Sequence, residues 1–176
     1  GLEAVYPKPN FSKNNTPHPV YPYLLRGLII DHPNQVWGSD IAYIRLAQGF
    51  LYLVAILDWY SWYVIARRLS NTLDASFCLE AADEALNLAI PDISNIDQEV
   101  QFTSEDWLNL FQNKQVQISM DGKGRRMDNI MTERLRRSLK CEEVYIKNYQ
   151  RPKDAYTGIS QYFEWHNTRR LHSSLN

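Results

Sequence analysis

The stretch VWGSDIAYIRLAQGFLYLVAILDWYSWYVIARRL, residues 36–69, contains three segments of β-strand character. Residues 36–44 and 63–69 are of strand type, and residues 50–57 form an unbroken apolar run typical of a central strand buried on both faces. The connections at 47–49 and 58–61 are short, and short turns join antiparallel strands. The stretch therefore predicts a three-stranded antiparallel meander with Asp40 inside its first strand.

Beyond residue 70 the spacing of apolar residues is helical in some segments and of strand type in others. This pattern predicts helices that alternate with short strands. The order βββ-α-β-α-β-α-α predicts an α/β fold, with a five-stranded mixed sheet covered by helices on both faces. Two of the predicted helices cover residues 78–89 and 152–166. A third opens with a capping-box pattern at 103–106 and reaches about residue 113, and a fourth carries Met127, Met131, Leu135 and Leu139 on one face. The predicted later strands are 93–96 and 116–120.

Residues 1–35 differ from the rest because they hold six of the eight prolines, a density that opposes helix and central strand. We expect an arm or linker at 1–35 and one domain at 36–176. No apolar run is long enough to span a bilayer, and no secretory leader is expected. The two isolated cysteines, Cys78 and Cys141, indicate reduced thiols in a cytoplasmic protein.

Three acidic residues stand in settings that suggest chemistry. Asp40 interrupts a strand, Asp97 ends the strand at 93–96, and Glu133 lies on a basic helix. If the two strands are neighbours, Asp40 and Asp97 converge and Glu133 can reach them from the helix. Anions so close together need cations. Two divalent ions ~3.5–4 Å apart suit phosphodiester displacement, and carboxylates favour Mg²⁺, or Mn²⁺ as a substitute, over zinc.

Each of the three acids also has a simpler interpretation. Asp40 would be a solvent-facing strand residue, and Asp97 would be an ordinary turn or capping aspartate. Glu133 would form an i,i+4 surface ion pair with Arg137, which stabilises a helix by only ~0.3–0.5 kcal/mol.

The third helix and the loop before it are basic, although the chain as a whole has a net charge of −1. From residue 123 to residue 140 seven basic and two acidic residues give a local charge of +5. Local charge of this kind favours a phosphate backbone as the partner. The candidate DNA-binding residues are Lys123, Arg125, Arg126, Asn129, Arg136, Arg137 and Lys140.

Several segments together resemble the core of DDE transposases with a retroviral-integrase-like (rve) domain, within that group the bacterial insertion-sequence enzymes. The resemblance covers about residues 20–176, with 35 residues between Asp97 and Glu133, the spacing typical of this family. The segments that carry it are PNQVWGSDIAYI, residues 33–44; FLYLVAILDWYSWYVIARRLSNTLD, 50–74; NIDQEVQFTS, 95–104; ISMDGKGRRMDNIMTERLRRSLKCEEVY, 118–145; and YFEWHNTRRLHSSLN, 162–176.

The resemblance implies an RNase H-like fold and a catalytic, metal-binding triad of Asp40, Asp97 and Glu133, with two Mg²⁺ ions. It implies DNA transposition in a bacterial cell, on nucleoid DNA: water cleaves a strand at an element end, and the freed 3′-OH attacks another strand. Family enzymes act as homo-oligomers and carry an N-terminal helix-turn-helix region, which is absent from this sequence.

Some residues depart from the family pattern. Where the family has a small residue, often glycine, this chain has Glu99, a fourth carboxylate beside the site. Arginine replaces the frequent aromatic residue at Arg126 and at Arg136. The alternative function is therefore a non-catalytic or inactivated DNA-binding or assembly module of the same fold. A third candidate, a nuclease for RNA–DNA hybrids, is disfavoured by the basic helix and the integrase-type motifs.

The C-terminal segment from Tyr162 to His172 leaves two interpretations open. It places Asn167, Arg169, Arg170 and His172 near DNA or the active site, or it is a surface helix end.

Overall fold

A computed structural model of the chain describes residues 19–122 and 129–170. Every predicted strand and helix is present, with ends within two residues of the prediction where the structure describes them. The strands are β1 Val36–Arg45, β2 Phe50–Asp58, β3 Val64–Ser70, β4 Ile93–Ile96 and β5 Gln117–Met120. The helices are α1 Ser76–Leu88, α2 Glu105–Gln112, α3 Ile130–Leu139, α4 Tyr145–Lys147 and α5 Pro152–Thr168.

The five strands form one mixed sheet in the order β3-β2-β1-β4-β5. β1, β2 and β3 pair antiparallel, as the meander predicts, whereas β4 and β5 join β1 through parallel pairing. The predicted five-stranded mixed sheet is confirmed.

Each face of the sheet carries its own hydrophobic core. One core packs α3 and α5 against the sheet through residues such as Leu135 and Ile159, and the other packs α1 and α2 through residues such as Ala82 and Trp107. Side chains of β1 alternate between them, since Ala42 belongs to the first core and Ile41 to the second. By the same alternation Asp40 faces α3.

The start of α2 differs from the predicted capping box by one residue. The cap is Ser104, whose hydroxyl accepts a hydrogen bond from the Trp107 N–H at 3.3 Å. The Thr103 hydroxyl instead donates to the Glu99 carbonyl oxygen at 3.2 Å. Thr103 therefore organises the loop between β4 and α2 and does not cap the helix.

The sequence did not predict that α3 continues through a π-helical segment, Lys140–Val144, into α4. A buried carboxylate, Glu143, accepts a hydrogen bond from the Tyr149 hydroxyl beneath α5. Gly158 of α5 leaves room for this pair, because a Cβ there would lie 2.7 Å from Glu143 Oε1. On the surface, Arg170 and Tyr162 both bind the Glu142 carboxylate. These contacts fix the direction of α3 relative to α5.

Residues 19–35 contain no helix or strand and run beside β5, where Met120 N–H donates to the Pro22 carbonyl oxygen at 3.3 Å. The Leu24 N–H donates to Ser119 Oγ at 3.1 Å. The division into an arm at 1–35 and a core at 36–176 stays a prediction. Within the part of the chain that the structure describes, no helix is long and apolar enough to cross a membrane.

Gly38 of β1 sets how closely α3 approaches the sheet. A Cβ at this position would press on the Trp59 ring and lie 2.7 Å from Thr132 Cγ2 on α3. We expect Gly38→Ala to lower the free energy of unfolding by about 1–3 kcal/mol, the usual effect of overpacking. Urea unfolding measures this effect. In a Trp59→Phe background, which lacks the indole nitrogen nearest the new methyl group, the loss should be smaller. An equal loss in both backgrounds would contradict this explanation.

Candidate metal and nucleic-acid site

Asp40 and Asp97 are brought side by side by the parallel pairing of β1 with β4. The register pairs Gly38 with Asn95, and β4 ends at Ile96. Continued by two residues, the same register places Asp97 opposite Asp40. The expectation that these two carboxylates converge agrees with this geometry.

Asp40 is largely enclosed, with 12% of its side chain exposed. Burial raises the pKa of Asp40 to about 6, because an ionised carboxylate loses hydration there, and the negative charge of Asp97 adds to the rise. The Arg136 guanidinium opposes the rise, with its Nη1 3.4 Å from Asp40 Oδ2. A strand aspartate that faces solvent is therefore excluded.

Asp97 lies in the loop directly after β4 and is partly buried. Its Oδ1 accepts a hydrogen bond from the Glu99 N–H at 2.9 Å, which closes a turn of the kind that aspartate often makes. Burial raises the pKa of Asp97, whereas this hydrogen bond and the charge of Arg136 act in the opposite direction. Asp97 is thus both a turn residue and the neighbour of Asp40.

Glu99 is the further acid beside this pair. Its Oε2 is buried and has no hydrogen-bond partner. Burial, followed by the charges of Asp97 and Asp40, raises the pKa of Glu99 to about 8. Such a carboxylate is costly when ionised without a counter-charge.

Glu133 lies in the first turn of α3, and its side chain is exposed. Among residues 19–122 and 129–170, no three acidic, histidine or cysteine side chains are placed to hold one metal ion. The register makes Asp40 and Asp97 neighbours, whereas the exposed Glu133 is not grouped with them here, and the triad stays a prediction.

The predicted DNA-binding residues divide into three groups. Arg136 is engaged with Asp40, and Lys140, one turn further along, also lowers the Asp40 pKa. Arg137 is exposed, and Asn129 immediately precedes α3. Lys123, Arg125 and Arg126 lie outside the described residues.

Asp121 is a residue at the site that the sequence analysis did not single out. Asp121 directly follows β5 and is 8% exposed, and its Oδ1 accepts a hydrogen bond from Asn95 Nδ2 at 2.9 Å. The bond ties the ends of β4 and β5 together beside the site. The sequence carries only a weak signal for this role, because an aspartate directly after a strand is also common in ordinary turns.

The two interpretations of the C-terminal segment are resolved for two residues. The Asn167 side chain pairs with the backbone N–H and carbonyl of Val64, each at 2.9 Å, and so binds an edge strand. Arg170 binds Glu142. Both residues hold the helix end in place, whereas His172 lies outside the described residues.

The strand order, the mixed pairing and the helices on both faces define an RNase H-like core. Solved structures with a similar fold include the intasome of simian T-cell lymphotropic virus, with a TM-score of 0.70 and 18% identity over 92% of this chain and 57% of that one. They also include the HTLV-2 integrase catalytic core in complex with magnesium, with a TM-score of 0.56 and 19% identity over 80% of this chain and 90% of that one.

Two sequence profiles of the integrase core domain match the chain, one over residues 30–126 and the other over residues 114–176. The chain belongs to the integrase core domain family. One relative is the transposase for insertion sequence element IS904 of Lactococcus lactis, 30% identical over 82% of this chain and 58% of the relative. The chain spans about half the length of the curated relatives it matches.

The raised pKa values at the site make stability depend on pH. The folded protein holds the Asp40 proton up to about pH 6 and the Glu99 proton up to about pH 8, whereas the unfolded chain releases both near pH 4. The free energy of unfolding therefore decreases as the pH rises from about 4 to about 8. We expect Glu99→Gln to unfold with a free energy about 1–3 kcal/mol above that of the unsubstituted chain near pH 8.5 in EDTA. The difference should vanish near pH 4. Urea unfolding across this range measures it.

The matched control is Glu164→Gln, which changes an exposed glutamate on α5. Its free energy of unfolding should stay close to that of the unsubstituted chain at every pH. A Glu99→Gln variant that follows this control would show that Glu99 is ordinarily solvated.

Proposed function

We propose that the chain is the catalytic core of an insertion-sequence transposase, which cleaves DNA and transfers a 3′-OH to another strand. The observation that carries the proposal is the position of Asp97 opposite Asp40 on neighbouring parallel strands, beside a basic helix. Membership of the integrase core family and likeness to insertion-sequence transposases support it.

The acids at the site fit a hard divalent cation. All of the candidate ligands are carboxylates, the ligand type that Mg²⁺ and Mn²⁺ prefer. The unpartnered Oε2 of Glu99 and the pKa of Asp40, which is raised mainly by burial, mark carboxylates that a bound cation would stabilise in their ionised form. We assign the ligand role to Asp40 and Asp97, with Glu133 as the third member of the proposed triad.

The bound ions would activate the attacking oxygen and stabilise charge on the phosphate and the leaving oxygen. The chain's own residues orient the substrate. Arg137 and Lys140 on α3, with Lys123, Arg125 and Arg126 before it, are proposed to bind the DNA backbone, and Asn129 to contact it by hydrogen bonding.

The further properties of the protein follow as proposals from the same assignment. DNA at the element ends and at the target would be the partner, with action on the nucleoid of a bacterial cell. Further copies of the chain would complete the assembly, and a helix-turn-helix region preceding the core would read the ends. The HTLV-2 core with magnesium, solved in a trimeric form, supports the metal and the self-association by fold analogy alone.

Replacing Asp97 tests the catalytic assignment. Asp97→Asn removes a carboxylate charge at nearly constant volume, so we expect Mn²⁺-dependent nicking of supercoiled plasmid to fall by about 10²-fold or more. Circular dichroism and urea unfolding should show an intact fold. Asp83→Asn, at an exposed position on α1, is the matched control and should nick normally. Undiminished nicking by Asp97→Asn would overturn the assignment.

A second candidate function is a non-catalytic DNA-binding or assembly module. The observation that favours it is Glu99, whose unpartnered carboxylate lies beside Asp97 and whose N–H binds the Asp97 oxygen. This candidate predicts DNA binding that weakens with salt but needs no metal.

Glu99→Gly separates the two functions. If Glu99 blocks the site, its removal takes away one negative charge and frees space, so nicking should appear or rise by about tenfold or more. The same plasmid assay in MnCl₂ measures it, with Glu164→Gln as control. Equal nicking before and after the substitution would show that Glu99 is not the obstacle.

A further inference from the structure

Arg136 is the protein's own cation at the acidic site. Its guanidinium lies 3.4 Å from Asp40 Oδ2, and its charge lowers the pKa of Asp40, Asp97 and Glu99. One side chain on α3 thus acts as the counter-ion for three acids.

The two acids proposed as metal ligands are both engaged by groups of the chain. Asp40 is paired with Arg136, and Asp97 accepts the Glu99 N–H. A divalent ion placed between Asp40 and Asp97 would lie close to the guanidinium, and like charges a few ångströms apart repel strongly in a poorly hydrated site.

Arg136 is able to leave. Its side chain is 38% exposed, so one end already reaches solvent, and a long arginine side chain keeps its head group in water while its stem stays packed. Lys140 acts on Asp40 as well and would keep a positive charge near the site after Arg136 has moved.

We infer that Arg136 occupies the cation position of the metal-free site and is displaced when a divalent cation binds Asp40 and Asp97, which releases its guanidinium to a DNA phosphate. The inference rests on the proposed function, because it requires the pair of aspartates to bind metal. It makes Arg136 a positioning residue that links metal loading to DNA binding.

The first test measures Mg²⁺ affinity by NMR titration of the backbone amides near Asp97. We expect Arg136→Gln to bind Mg²⁺ about tenfold more tightly than the unsubstituted chain, a coupling within the usual range. The titration is done near pH 8.5, because removing the guanidinium favours protonation of the acids and protons compete with the metal. Arg134→Gln, which changes an exposed arginine on α3 that has no proposed role, should leave the affinity unchanged.

Affinity of Arg136→Gln that is equal to or weaker than that of the unsubstituted chain would overturn the inference. The proposed function is judged separately by Asp97→Asn, which should abolish Mg²⁺ binding. If Asp97→Asn loses Mg²⁺ binding but Arg136→Gln gains no Mg²⁺ affinity, the inference fails and the proposed function stands. If Asp97→Asn binds Mg²⁺ unchanged, the inference and the proposed function both fail. The unsubstituted chain gives a check that needs no variant, since the Arg136 Nε–H signal should shift on addition of MgCl₂ and an unmoved signal would count against displacement.

The second test concerns the released guanidinium. With Ca²⁺ present, we plot the logarithm of the binding constant for a short DNA duplex against the logarithm of the salt concentration. The magnitude of the slope should be smaller by about one for Arg136→Gln than for the unsubstituted chain. In EDTA the two slopes should agree, because Arg136 is then held by Asp40. A difference that is the same with and without metal would overturn the release of Arg136 to DNA.

Discussion

The charge of two adjacent carboxylates is the constraint on which the rest of the structure depends. Asp40 and Asp97 lie together in a place that excludes much of the solvent, and burial raises the pKa of both. The fold meets this by docking a basic helix, α3, against β1, so that Arg136 reaches Asp40. Gly38 permits that approach, since any side chain there would collide with Trp59 and Thr132.

The unequal lengths of two strands create the position that the pair of carboxylates occupies. β1 has ten residues and β4 has four, and Asp40 and Asp97 lie two residues beyond the last paired positions of the two strands, Gly38 and Asn95. β1 is also where antiparallel pairing on one side meets parallel pairing on the other. A crevice forms where pairing ends at such a change of direction, and ligands of α/β sheets commonly bind there.

Sequence patterns were sufficient for the predicted strands and helices, because apolar periodicity reports which faces are buried. They placed Asp97 beside Asp40 only on the condition that the two strands are neighbours, and that strand order comes from the structure. They could not assign Arg136, whose choice between solvent and Asp40 depends on how α3 docks. They also missed the π-helical segment at Lys140–Val144, within which Glu142 and Glu143 accept hydrogen bonds from Tyr162 and Tyr149. The burial of Glu99 likewise depends on the folded loop, although its unusual residue type was visible in the sequence.

The distribution of charge also gives the proposed DNA contact a direction. α1, which packs on the opposite face of the sheet from α3, contains Glu80, Asp83 and Glu84 and no basic residue. Arg68 offsets part of this charge by pairing with Glu80 and Glu84, and Asp83 remains exposed. A phosphate backbone would therefore be drawn to α3 in preference to α1, although the net charge of the chain is only −1. Because the sheet separates the two faces, the fold itself keeps the acidic helix away from the site. A duplex drawn to the basic face therefore meets the edge where Asp40 and Asp97 lie, which is where the proposed chemistry requires it.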